Sequence, residues 1–279
     1  MKCFQCQTVL PDAARFCFNC GAQQEAIQEE AIPESGPIRW LEDLVPQLEG
    51  IFSTVFDQRL SIIGDEKKKT DYRERLYRSG FRDTVHHRLQ QLADELDRQH
   101  KSLNFNETSA IWRIDRVVRD LSDFFLIRNT NDLHPFALPE SILKYQDANW
   151  ATVDIRQMIL DYLDFTQEKL RVYTDLLTMP IEKLRRAGRS WFTPARDEQI
   201  LLLCDLSVLG SLREGFGITE EAIYWKAQLQ EPQAIAFPKL YSIKREADWL
   251  LINDQFFNAG PSLNTKMFLL LEKLADLNT

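Results

Sequence analysis

Four cysteines in the first twenty residues constrain this chain more than anything else in it. They form two CxxC pairs, Cys3-Phe4-Gln5-Cys6 and Cys17-Phe18-Asn19-Cys20, with ten residues between Cys6 and Cys17. A two-residue gap lets both thiolates of a tight knuckle face one ion, and two knuckles complete a tetrahedral S4 shell suited to Zn²⁺. Tetrahedral sulfur also accommodates iron of the rubredoxin type, whose knuckles usually carry Gly after both pairs; here Gly21 follows the second pair and Gln7 the first. Disulfides are the remaining alternative. Met1 and Lys2 lead straight into Cys3 with no apolar run of signal-peptide length, which points to a reducing compartment and favours the metal. Cys3, Cys6, Cys17 and Cys20 are therefore the expected ligands of a structural zinc. Four thiolates leave it no open coordination position.

The stretch Ala14-Arg15-Phe16-Cys17-Phe18-Asn19-Cys20-Gly21-Ala22 resembles the ending of small N-terminal zinc ribbons found in many bacterial proteins. The resemblance covers residues 1 to about 23 and implies a metal-clamped module.

With 279 residues and 44% hydrophobic content, the chain is long enough for two or three units with substantial cores. A net charge of -8 argues against a protein whose main task is to coat nucleic acid, because phosphate binding is driven by Lys and Arg releasing counterions. No uncharged run reaches the length of a membrane span: the apolar Ile200 to Leu203 run is bounded by Glu198 and Asp205. A cytoplasmic location is expected. The fifth cysteine, Cys204, follows Leu201-Leu202-Leu203 and reads as a small buried hydrophobe.

Composition divides the chain into four. After the ribbon (1–23), residues 24–37 are rich in Glu, Gln and Ala and close on Pro33, Gly36 and Pro37, as an acidic flexible linker would. Over 38–189 the apolar positions recur at spacings of mostly three and four. One stripe is Leu76, Phe81, Val85, Leu89, Leu92 and Leu96; a second is Ile114, Val117, Leu121 and Phe124; a third is Ile155, Ile159, Tyr162, Leu170, Tyr173 and Leu177. Together with an amphipathic segment from Ile38 to Ile63, these predict an α-helical bundle of about five helices. Gly64-Asp65, the polar Asn104 to Thr108 cluster, Asn129 to Asp132, Pro135, Pro139 and Pro180 separate them.

Beyond Pro194 the period shortens. Glu198–Cys204, Gly217–Thr219, Ala222–Trp225, Ala234–Phe237, Leu240–Ile243, Trp249–Ile252 and Gln255–Asn258 read as about seven strands of a β-meander. Leu263, Met267, Leu270, Leu271 and Leu274 then form one face of a last helix, with Ser262 as its expected N-cap. The run Asp205-Leu206-Ser207-Val208-Leu209-Gly210-Ser211-Leu212-Arg213-Glu214-Gly215-Phe216-Gly217-Ile218-Thr219, followed by Ala222-Ile223-Tyr224-Trp225, resembles a bacterial PH-like pattern. That resemblance covers 190–279 and implies a bent sheet closed by a capping helix. The expected fold is thus multidomain α+β: zinc ribbon, helical bundle and PH-like β-meander.

Catalytic groups are harder to find. Adjacent His86 and His87 point about 100° apart on a helix and cannot grip one metal together. His100 and His134 have no cysteine or carboxylate pair near them in sequence, and no phosphate loop, dinucleotide fingerprint or zincin motif occurs. Two basic stretches stand out. Lys67-Lys68-Lys69 continues through Arg73, Arg75, Arg78, Arg82 and Arg88, and reads first as the charged outer face of a helix. Arg185, Arg186 and Arg189 beside Trp191 suit a lipid surface or an acidic groove as well as a solvated face.

Acidic residues crowd the turns of the PH-like segment, among them Asp205, Glu214, Glu220 and Glu221, and oppose a basic phosphoinositide cradle. Tyr224, Trp225, Phe237, Tyr241, Trp249, Phe256 and Phe257 are expected in the sheet core. The expected function is a non-enzymatic zinc-binding adaptor or scaffold working through a protein partner, with no small-molecule substrate. The alternatives are a nucleic-acid accessory protein using the ribbon and the Lys67 to Arg88 stretch, and an enzyme with a site between bundle and sheet.

Overall fold

The computed structural model describes residues 38–102, 105–175, 177–246 and 248–277. The predicted zinc ligands Cys3, Cys6, Cys17 and Cys20, with the linker behind them, lie outside the described residues. The fold is α+β. Among the described residues it contains α1 (Leu44–Ile63), α2 (Lys69–Arg78), α3 (Phe81–His100), α4 (Glu107–Asn129), α5 (Ile155–Leu163), α6 (Ile181–Ser190) and α7 (Pro261–Leu277). Its strands are β1 (Arg171–Tyr173), β2 (Ile200–Asp205), β3 (Gly215–Thr219), β4 (Ala222–Lys226), β5 (Gln233–Ala236), β6 (Ile243–Glu246), β7 (Trp249–Ile252) and β8 (Gln255–Phe257). None of the described helices is long and apolar enough to cross a membrane.

Two compact units share these elements. The first comprises the described residues up to Asp57 together with Thr84–Val118; the second comprises Gln58–Asp83 and everything from Arg119 onward.

In the first unit, Leu48, Phe52 and Phe56 of α1, Leu89, Leu92 and Leu96 of α3, and Ile114 and Val118 of α4 are all buried. Their spacing puts each set on one helical face, and each fully buried aliphatic side chain contributes about 2 kcal/mol. Asn106 starts α4 as its N-cap, its Oδ1 accepting the Ser109 N–H at 3.0 Å. The expected α4 stripe is corrected in part: Ile114 and Leu121 are buried, but their companions are Val118 and Phe125 rather than Val117 and Phe124. Both sets fit a helical period, and the neighbouring apolar residues at 117/118 and 124/125 made the choice ambiguous.

The second unit holds two antiparallel sheets, β1-β2-β3-β4-β5 and β6-β7-β8. Strand β3 is buried at every position, and β2 and β4 nearly so. Covering on both faces explains their continuous apolar composition. On one face, Leu203 and Tyr224 pack in a cluster with Ala187, Trp191, Phe192 and Leu212. Gly217 serves that packing directly, because a Cβ there would lie 2.7 Å from the Phe192 ring. On the other face, Phe216 and Trp225 meet the Phe257 ring edge-on at 5.7 and 6.0 Å. Trp225 also donates its indole N–H to the Phe256 carbonyl at 2.8 Å, tying the second sheet to the first.

Three expectations are corrected in this unit. The stripe from Ile155 through Leu177 is not one helix. Helix α5 ends at Leu163, Asp164 takes φ 28°, and Val172 and Tyr173 lie in β1, paired with Cys204 and Leu203. Leu170, Tyr173 and Leu177 continue the helical spacing by coincidence, while β-branched Val172 and aromatic Tyr173 suit an edge strand completed by β2. Ser262 is not the N-cap of α7: Pro261 already begins the helix, and the Ser262 hydroxyl donates to Glu168 at 2.6 Å. Tyr241 and Trp249 are not core residues, being 74% and 38% exposed.

Candidate functional site

Charged side chains in the middle of otherwise apolar helix faces mark the most unusual site of the second unit. Arg59 of α1 is only 3% exposed. Its Nε and Nη2 donate to the two Asp123 oxygens of α4 at 2.7 and 2.6 Å, and its Nη1 donates to Glu272 of α7 at 2.5 Å. One turn away on α4, Arg119 pairs with Asp276 at 2.9 Å and approaches Glu272 at 4.0 Å. Burial alone would lower the Arg59 pKa, but the Asp123 and Glu272 carboxylates outweigh it and hold the guanidinium more firmly charged than usual. Burial raises the Glu272 carboxyl against the pull of Arg59 and Arg119.

A cleft of about 40 Å³ opens beside this network, lined in part by Asp120, Gln146, Tyr162 and Lys273. That is room for a few waters and well below the 300 Å³ or more typical of small-ligand sites. Arginine cannot serve as a base, and the Asp123, Glu272 and Asp276 carboxylates are already committed to guanidinium groups. What the arrangement does chemically is lock three helices together by charge-assisted hydrogen bonds. A similar pin fixes α7 to the segment after α5: Lys266, 1% exposed, donates to the Asp164 carbonyl at 2.7 Å and to Glu168 at 3.0 Å.

A second polar pair is buried in the same unit. Tyr72 lies 3.1 Å from His134 Nδ1, and His134 Nε2 lies 2.7 Å from the Leu126 carbonyl. The network assigns a neutral ring that donates from Nε2 to Leu126 and accepts at Nδ1 from the Tyr72 hydroxyl. Burial lowers the His134 pKa below 6.5, although the backbone carbonyls of Leu126 and Ile63 oppose the shift. Because the unfolded imidazole takes up a proton that the buried one refuses, this group's contribution to stability is complete above pH 6.5. It declines as the pH falls from there toward the lower folded value. Thermal unfolding followed from about pH 7.5 to about pH 5 should show that decline, and His134→Gln should flatten it. An identical pH slope in the variant would reject the assignment.

The residues singled out from sequence are dispersed. His86 is half exposed and hydrogen-bonded to Glu49 at 2.8 Å, with the His87 ring 6.0 Å away. His100 stacks on Trp40 at 6.1 Å. In the Lys67 to Arg88 stretch, Lys68 donates to the Leu133 carbonyl, Arg75 grips Asp132 at 2.8 and 3.0 Å, Arg78 pairs with Glu74, and Arg82 lies over the Tyr77 ring. Much of this charge is therefore used inside the protein. Arg185, Arg186 and Arg189 are exposed on α6, with Arg185 paired to Glu182. Trp191 does not join them at the surface, which corrects its assignment to a membrane contact: it is 2% exposed and donates its indole N–H to the Leu212 carbonyl at 3.1 Å. A large ring next to a short amphipathic helix was needed to fill the space over the sheet. Cys204 is a buried free thiol, and burial, reinforced by Asp205, pushes its pKa up and leaves it protonated.

Arg59, Asp123, Glu272 and Lys266 escaped the sequence reading, although a signal was there. Arg59 falls three residues after Phe56 and four before Ile63, on the buried face of α1, where a charge requires a partner. Among the described residues, no group of three His, Cys, Asp or Glu side chains is placed to hold a metal ion. No known protein family, curated protein or solved structure matches the chain.

Proposed function

We propose that this protein is a zinc-binding adaptor that works by protein–protein contact. The observation carrying the reading is the pair of CxxC knuckles: Cys3, Cys6, Cys17 and Cys20 make a closed S4 donor set, which clamps a small surface and offers no position for a reacting ligand. Phe4, Phe16 and Phe18 would give that surface its apolar area. The helical segment and the C-terminal sheets serve as scaffold and second contact module.

For the C-terminal module we retain the PH-like reading as part of the proposal. Its support is the order of seven strands, β2 to β8, followed by one helix. Two features depart from that pattern: β1 adds an edge strand from ahead of the module, and α7 packs on α5 as well as on β6 and β7. Tyr241 and Trp249 give this module exposed aromatic area of the kind that anchors protein interfaces. The test is affinity capture with tagged wild type beside a Cys17→Ser/Cys20→Ser variant. Partners that bind the wild type and are lost with the variant are expected; an identical partner list from both would defeat the ribbon as a recognition surface.

A further inference from the structure

One end of the five-stranded sheet presents aliphatic side chains to solvent where polar turn residues would be the ordinary choice. Val208 and Leu209, in the β2–β3 connection, are 90% and 89% exposed, and Leu229, in the β4–β5 connection, is 96% exposed. Register places both connections together, because Asp205 pairs with Gly215 and Gly215 with Lys226. Leu229 also holds φ 60°, a left-handed conformation that Gly or Asn would adopt with less strain. Neither burial nor backbone preference accounts for leucine at that tip.

Cations surround these tips. Arg171 pairs with Asp205 in the register and lays its guanidinium over Gly210 so closely that a Cβ there would collide with it. The Ser190 hydroxyl donates to the Arg213 carbonyl at 3.1 Å and accepts from Lys226 Nζ at 3.5 Å, which brings the C-terminal turn of α6, with Arg189, to the same end. Arg171, Arg189 and Arg213 are exposed and Lys226 is half-buried, against Glu214 and Glu231 in the two connections and the buried Asp205 carboxylate, which caps the first of them by accepting from the Ser207 and Leu212 N–H groups. In a chain of net charge -8, this is a local excess of positive charge.

We propose that this end of the sheet docks on an anionic bilayer surface, with Val208, Leu209 and Leu229 entering the interface while Arg171, Arg189, Arg213 and Lys226 meet lipid phosphates. Separate convex tips suit a fluid interface, which closes around each of them, better than a preformed protein groove, which needs one continuous apolar patch. The cations supply the attraction to anionic lipid and the aliphatic tips supply the retention, so binding is reversible and salt-dependent. The inference stands apart from the zinc reading, since none of its residues belongs to the ribbon.

Cosedimentation of the full chain with phosphatidylcholine vesicles, with and without phosphatidylglycerol, tests it. Wild type should bind the anionic vesicles, bind neutral ones weakly, and lose affinity as salt is raised. Val208→Asp/Leu209→Asp should weaken binding at least about tenfold, by removing apolar area and adding charge. Arg189→Ala/Arg213→Ala should weaken it about tenfold or more. All four side chains are exposed, so unchanged thermal unfolding will show that both variants fold. Failure to bind anionic vesicles, equal binding to neutral ones, or wild-type affinity in either folded variant would overturn the proposal.

Discussion

Arg59→Ala is expected to destabilise the second unit by about 3–5 kcal/mol, a lowering of the midpoint of thermal unfolding of roughly 10 °C for a unit of this size. The variant removes a cation that is 3% exposed and leaves Asp123 and Glu272 with their charges facing a site built for a guanidinium. The lost hydrogen bonds matter less than the uncompensated carboxylates, because breaking a buried pair from one side is what makes it costly. A triple variant, Arg59→Met with Asp123→Leu and Glu272→Leu, separates these contributions. Replacing the whole network by apolar side chains should recover most of the loss. Chemical and thermal denaturation of the two variants reads the result, and a triple variant no better than Arg59→Ala would show that the ion pairs themselves, rather than unpaired charge, set the stability.

The second large effect concerns the proposed ribbon. Metal analysis of the purified chain is expected to find one zinc per molecule, and Cys17→Ser/Cys20→Ser is expected to abolish it. Removing two of four thiolates leaves too few donors for a structural site, and zinc binding by comparable peptides is worth about 10–16 kcal/mol. In a segment of some two dozen residues that energy is essentially all of the folding energy, since so short a chain has little core. Cobalt offers an independent readout, because tetrahedral thiolate coordination gives it intense charge-transfer absorption. Full zinc content in the double variant would overturn the ligand assignment.

Much of the fold was legible because its elements report their own surroundings. The α3 stripe through Val85, Leu89, Leu92 and Leu96 is buried as its period predicts, and β3 and β4 lie where turn glycines and aromatic residues put them. What escaped depends on residues distant in sequence. Strand β1 is three residues long and exists through its hydrogen bonds to β2, so its own letters look like the tail of a helix. The Trp191 ring became a core residue because α6 lies over the sheet, a placement no local period announces. Tyr241 and Trp249 were expected inside because aromatic residues in strands usually are; Trp249 falls on a face of the three-stranded sheet that is open to water, and Tyr241 lies in the connection ahead of β6. The ion network was the least legible, since Arg59 and Glu272 lie 213 residues apart and nothing in either helix names the other.

That separation also governs when the second unit can form. At ordinary translation speeds, roughly 10–40 s pass between synthesis of Arg59 and arrival of Glu272. At the start of that interval the nascent α1 carries a charge on its apolar face with neither carboxylate partner made, and after Asp123 is synthesised it still lacks Glu272. Contacts of such long range require loop closure before they return any stabilisation, and they slow folding accordingly. The unit therefore completes itself late, when α7 docks, and a ribosome stalled before Glu272 would hold a chain whose helices are written but not yet latched.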